Sequence, residues 1–265
     1  MDYGLPDSST LETALALAAR APSVADTQPW RWQIGSRSLH LYLDPARAAD
    51  PDQRGPVLSC GASLHHLRVA LAALGWSAVV RRLPNPAQPH HLASMRLLRH
   101  RSTPVELALS AAISRRHTDH RHFTSLPIPP GCLGLVTERA TALGALVRRA
   151  TDPARSPVLD PSDRAPDPDF AELLVIGTTA DDRTSRLRAG EALSAVLLTA
   201  TNIGLATALL ALETPELRRT GVLDGAAHPQ AIVRIGWAPT GIGSPEPTLE
   251  DARSWACRRS HAGPC

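Results

Sequence analysis

One order of local signals runs twice along this chain: helix, strand, long apolar helix ending near a glycine, strand. In the first pass Ser9 and Glu12 make a capping-box pair, and Leu11, Ala14, Leu15, Ala18 and Ala19 form a helical stripe that Pro22 stops. "SLHLYLD" then puts Leu39, Leu41 and Leu43 on one face, the period of a half-buried strand, with Asp44-Pro45 as its turn. A long helix is expected from Leu58 to Leu74 with Gly75 closing it, and "SAVVRRL" and "SMRLLRH" read as short strands.

The second pass opens at "TPVELALSAAISRR", with Thr103 as N-cap, Pro104 at the first helical position and Glu106 at the third. "LGALVRRA" is a strand candidate and "AELLVIGTT" a buried strand. "GEALSAVLLTATNIGLATALL" reads as one long apolar helix with a late glycine, and "QAIVRIGWAP" as a closing strand whose Gly-Trp pair echoes Gly75-Trp76. Residues 151–169, rich in Pro, Asp, Ser and Arg, read as a surface crossing rather than a packed element. The architecture expected is α+β, a pseudo-dimer in one chain, with halves 1–102 and 103–265 and a ligand cleft between them.

Composition narrows the partners. Aromatic residues make up 3% of the chain, so the core must rest on Leu, Ala and Val. The formal charge of +3 carries no long basic run with interleaved aromatics, which argues against nucleic acid and weakly favours a small anionic ligand. The opening stretch "MDYGLPDSSTLE" has no basic region followed by an apolar one, and no apolar run is long enough to span a bilayer, so a cytoplasmic protein without membrane contact is expected. Cys60, Cys132, Cys257 and Cys265 lack metal or redox spacing, and the paired histidines at 65–66 and 90–91 read as core or surface residues, not metal ligands.

Against that background "RAPSVADTQPWRW", residues 20–32, stands out for its two tryptophans, two prolines, serine and glutamine directly after a helix. It is either an apolar turn that plugs a core or the rim of a pocket for something flat. "RRHTDHRHF" is the second unusual stretch. A basic helix end accounts for Arg115 and Arg116, but not as readily for the residues that follow.

Taken in order, "RAPSVADTQPWRW", "CGASLHHLRVALAALGW", "RRHTDHRHF", "LRAGEALSAVLLTATNIGLAT" and "RIGWAP" resemble the Acg-like branch of the FMN-dependent nitroreductase superfamily. The resemblance implies a nitroreductase-like fold of two fused copies with FMN held non-covalently in the cleft. It implies that Ser23 and Gln28, with Asp26 and Thr27 between them, meet the polar edge or ribityl chain of the flavin. It places the phosphate at Arg116, Thr118 and His120, and Gly204 and Leu205 beside the flavin. Arg188, Gly190 and Glu191 would shape the site. Guanidinium suits phosphate because its rigid fork makes paired, charge-assisted bonds, and an amide offers an isoalloxazine edge both donor and acceptor.

Three departures bear on that implication. Asp26 stands where the family has Asn, and a carboxylate cannot donate. His120 stands where it has Arg, which weakens a phosphate grip. Members of the family are also longer, and the shortage falls around residues 150–170, where a segment covering the flavin is expected. Three functions therefore stay open: an FMN-dependent NAD(P)H oxidoreductase acting on nitroaromatic or quinone-like acceptors, an FMN-binding or storage protein, and a degenerate fold serving protein interaction. No residue reads as a catalytic nucleophile, and the chain is expected to act on a small molecule as a monomer or homodimer.

Overall fold

The computed structural model describes residues 4–48, 50–150, 170–210, 223 and 227–239. The segment 151–169, Cys257 and Cys265 lie outside the described residues. Helix α1 (Ser8–Ala18) buries Leu11, Ala14 and Ala18. Its cap is Asp7 rather than the expected Ser9: the Asp7 carboxylate takes the Thr10 N–H at 2.9 Å and the Ser9 hydroxyl at 2.6 Å. The carboxylate two residues ahead satisfies the helix N-terminus and takes the serine hydroxyl as well.

The first sheet holds β1 (Trp30–Ile34), β2 (Leu39–Leu43), β3 (Trp76–Arg82) and β4 (His91–Arg99). The second holds β5 (Leu146–Ala150), β6 (Glu172–Thr178), β7 (Ala206–Leu210) and β8 (His228–Gly236). Both are antiparallel, with the same path: order β1-β2-β4-β3 in one and β5-β6-β8-β7 in the other. Each has a register shift at a matching place, at Leu41/Tyr42 and at Ile176/Gly177.

In each sheet a long helix connects the second strand to the third in chain order, α2 (Arg54–Ala73) from β2 to β3 and α5 (Arg183–Asn202) from β6 to β7. Each has 20 residues and starts on an arginine. Each is closed by a glycine in the left-handed region, Gly75 at φ +84° and Gly204 at φ +91°. α2 begins four residues before the Leu58 expected. The apolar run assigned to one long helix breaks at Gly204, and residues 206–210 form β7, paired with β8. The structural counterpart of Gly75 is thus Gly204. Gly236, of the second Gly-Trp pair, ends a strand.

The two long helices cross in the centre of the molecule. α3 (Pro104–Arg115) packs on both of them, and the expected Thr103–Glu106 capping box is present. α4 (Pro130–Thr141), which sequence periodicity did not mark, packs on α5 as α1 packs on α2. The first sheet is buried on one face only, with Leu39, Leu41, Leu43, Met95 and Leu97 inward. The second is buried on both, because Leu173, Val175 and Ile232 on its outer side pack with Leu223. This is why β2 alternates in sequence whereas β6 is a continuous apolar run.

Candidate ligand site

The loop between α1 and β1 is tied down from several directions. The Val24 N–H donates to Ser59 Oγ at 3.0 Å, the Gln28 N–H to Ser23 Oγ at 3.1 Å, and the Thr27 hydroxyl to the Val24 carbonyl at 3.0 Å. Trp32 donates its indole N–H to Ser63 Oγ at 3.2 Å, and Trp30 and Trp32 pack on the first core. The tryptophans are anchors, while Asp26 and Gln28 stay exposed. Ala25 and Asp26 (both φ 52°) and Gln28 (φ 44°) are left-handed, a conformation side chains adopt at a cost. Asp and Asn bear that conformation best, so Asp26 keeps the backbone role an asparagine would have there.

The end of α3 lies against this loop. Arg20 donates to the Ser114 carbonyl at 3.2 Å, and Arg116 makes a long contact at 3.5 Å to the Arg20 carbonyl. Arg116 is half-buried, its Nε is buried without a partner, and no carboxylate among the described residues pairs with it. Burial first, and then the neighbouring Arg20 charge, hold its pKa below the usual arginine value. A half-buried guanidinium in that state is suited to an anion.

Beyond Arg116 the chain runs along β7. Thr118 bridges to Thr207, and the Asp119 N–H donates to the Thr207 carbonyl at 2.9 Å. Buried Asp119 holds Arg121 through two bonds, Nε to Oδ1 at 3.0 Å and Nη2 to Oδ2 at 2.7 Å. The Arg121 fork is therefore committed and does not stand in for the arginine missing at position 120. His120 is exposed, and so is Thr118. Gly204 is an exposed helix-end glycine and Leu205 is buried directly before β7. Arg188 is exposed, with its stem 4.0 Å from where a Cβ on Gly144 would stand.

Between the halves, next to the loop, lies a cavity of about 270 Å³ bordered by Val24, Asp50 and Arg54 on one side and Leu209, Leu210 and Gln230 on the other. Arg54 is paired with Asp181 and also donates to Gln230 Oε1 at 3.1 Å, and the Gln230 amide donates to Asp181 at 3.1 Å. Arg54 lies in no stretch quoted from the sequence and Gln230 only opens a strand candidate, because what makes them cavity residues is contact between distant parts of the chain. Cys60 is buried with its thiol pushed up by burial, so it stays protonated. Among the described residues no cluster could hold a metal, and no helix is long and apolar enough to cross a membrane.

A cavity lined by residues of both sheet subdomains, beside the α1–β1 loop, is the kind of place in which an α+β protein takes a small ligand. Comparison with known proteins is more specific. The chain is 37% identical to a Mycobacterium tuberculosis H37Rv protein carrying the provisional name NAD(P)H nitroreductase Rv3131, over 94% of this chain and 91% of that protein. It is 33% identical to another from the same organism, provisionally named NAD(P)H nitroreductase acg, over 89% and 92%. The chain belongs to the FMN-dependent nitroreductase superfamily. A crystal structure from Anabaena variabilis, described provisionally as a nitroreductase, shares the fold at TM-score 0.62 and 10% identity, covering 89% of this chain and 90% of that one. No family model matches. The alignment to Rv3131 runs over 312 positions, more than the 265 residues present here, so that relative carries insertions that this chain lacks.

Proposed function

We propose that this chain is an FMN-dependent oxidoreductase of the Acg-like branch, two nitroreductase-like copies fused near residues 102 and 103. It takes electrons from NAD(P)H and delivers them to nitroaromatic or quinone-like acceptors. The observation that carries the reading is Arg116, a half-buried cation without a carboxylate, joined through Arg20 to the loop that holds Ser23 and Gln28. The matching sheet paths and the matching places of Gly75 and Gly204 support the fusion.

The donor set fits FMN. Arg116 offers its fork to a phosphate, and Thr118 a hydroxyl beside it. The Ser23 hydroxyl already accepts from Gln28 N–H and keeps its own proton to donate, while the exposed Gln28 amide both donates and accepts. Asp26 and Thr27 would complete the loop that holds the flavin, Gly204 and Leu205 would contribute from the start of β7, and His120 would stand with Arg116 and Thr118 toward the phosphate. Bound FMN supplies the two-electron chemistry itself, and the protein contributes binding, orientation and electrostatics.

One ligand per chain is expected. α1 reaches β1 through residues 19–29, which form the tied-down loop, whereas α4 reaches β5 through residues 142–145 alone. Among the described residues the second half therefore has no such loop at the matching place, between α4 and β5. Titration of the purified chain with FMN by flavin fluorescence quenching, beside an Arg116→Ala variant, tests the reading. Saturation at one equivalent that weakens in the variant, followed by bleaching with NAD(P)H and reoxidation by a quinone, is the expected result. Absence of quenching up to about 100 µM FMN rejects it.

A further inference from the structure

The first sheet has one wet face, and none of its four strands holds an Asp or Glu. Across that face Arg31, Tyr42 and His91 stand in one row, Arg31 opposite Tyr42 and Tyr42 opposite His91. The Arg31 guanidinium lies 5.0 Å from the centre of the Tyr42 ring, and His91 stacks on the same ring at 4.5 Å with 16° between the planes. His91 Nε2 is in turn 3.0 Å from His40 Nδ1, and His40 Nε2 is 2.8 Å from Ser38 Oγ. Contact with a ring uses the face of a guanidinium and leaves its edge donors free.

The loop from β3 to β4 makes this row one wall of a cavity of about 310 Å³, with Gln88, Pro89 and His90 on the loop side and Gln33 beside Arg31 on the sheet side. That volume is at the small end of the range ligand sites occupy. The loop is tied down: the Leu43 N–H donates to the His90 carbonyl at 2.8 Å, the His91 N–H to the Gln88 carbonyl at 2.9 Å and the Gln88 N–H to the Asn85 carbonyl at 3.0 Å. Every polar side chain on the wall can donate a hydrogen bond, and no carboxylate lines it. Among the described residues Arg31 forms no ion pair. Burial, and then His40, push His91 below the ordinary imidazole value, so the row keeps its charge on Arg31.

We propose that this cavity is a second ligand site, for a small hydroxylated organic anion whose phosphate or carboxylate head is taken by the Arg31 fork and whose hydroxyls are taken by Gln33, Gln88 and His90. The paired donors of a guanidinium suit either oxyanion, and an amide, which both donates and accepts, suits a hydroxyl. The site is separate from the one built around Arg116: Arg31 lies on the wet face, whereas Trp30 and Trp32 on either side of it pack on the core.

Glucose 6-phosphate, gluconate, inorganic phosphate and glucose are titrated against the purified chain by NMR, following the imidazole signals of His90 and His91, and again against Arg31→Gln and Arg116→Ala. Glucose 6-phosphate, gluconate or both should bind saturably and roughly tenfold tighter than inorganic phosphate or glucose. That binding should weaken roughly tenfold in Arg31→Gln and stay unchanged in Arg116→Ala. Which of the two anions binds identifies the head group. Inorganic phosphate binding as tightly as either anion would show an unselective surface cation, and glucose binding as tightly would show that charge plays no part; each result overturns the proposal. So does loss of binding in Arg116→Ala with Arg31→Gln unaffected, or the absence of shifts at His90 and His91 with every probe up to about 10 mM.

Discussion

Gly61 of α2 and Gly190 of α5 face each other where the two long helices cross: a Cβ on Gly190 would stand 1.9 Å from the Leu58 carbonyl oxygen and 2.9 Å from the Gly61 Cα. A Cβ on Gly61 would stand 2.1 Å from the Leu187 carbonyl oxygen and 2.9 Å from the Gly190 Cα. Backbone meets backbone, and neither helix can retreat without opening the interface between the halves.

Gly190→Ala should therefore destabilise the protein by about 3 kcal/mol, at the upper end of overpacking costs, although alanine is the better helix former. Chemical denaturation of the variant beside the wild type measures it. A stabilised variant would mean that the crossing is looser than the backbone contacts indicate.

Glu191, beside that glycine, is fully buried and accepts from Arg68 at 2.8 Å and from Arg82 at 2.6 and 2.8 Å, both on the other half. Removing the carboxylate in Glu191→Ala strands two cations and should cost about 3 kcal/mol, more than a surface pair is worth. In a double variant with Arg82→Met the two losses should be markedly less than additive, which a denaturation cycle reads directly.

Asp181 predicts a pH dependence. Burial opposes its ionisation, but bonds from Arg54 and Gln230, with the charges of Arg54 and Arg186, outweigh burial and hold the carboxyl well below its ordinary value of 3.8. A depressed folded-state pKa adds stability that is fully present above the unfolded value and is lost as pH falls through the folded one. Denaturation midpoints should be insensitive to this group near pH 6 and should fall below about pH 4. Asp181→Asn should be less stable at pH 6 and show a shallower acid decline.

Asp26 separates backbone from chemistry. Asparagine adopts φ 52° as readily, so Asp26→Asn should change stability by less than about 0.5 kcal/mol. If the loop meets a flavin edge, the regained amide donor should tighten FMN roughly tenfold. Equal affinities would show that position 26 makes no contact with the ligand.

Local chemistry was legible at α3 and β2 but not at α1, where Asp7 and Ser9 both offer a capping oxygen and Asp7 takes the role. Thr103 and Glu106 mark their helix because the capping bonds close over three positions, and the alternation of β2 follows from a sheet with one wet face. Residues 206–210 were not legible: "ATALL" continues an apolar helical run, and only pairing with β8 makes it a strand. β1 went unmarked for the same reason, since its ladder partner is β2 and three of its five residues are more exposed than an inward strand would show.

For the ligand site, the amino-acid sequence by itself determined which stretches are unusual, that they resemble a flavin-binding family, and that Asp26 and His120 depart from it. Only the tertiary structure decided that Arg116 lies against the Arg20 to Gln28 loop, that Arg121 is already taken by Asp119, and that Arg54 and Gln230 meet at the cavity. The reason is physical: hydrogen-bond partners, burial and charge are set by groups that folding brings together across two halves of the chain, and side-chain spacing along one strand of sequence carries no record of them.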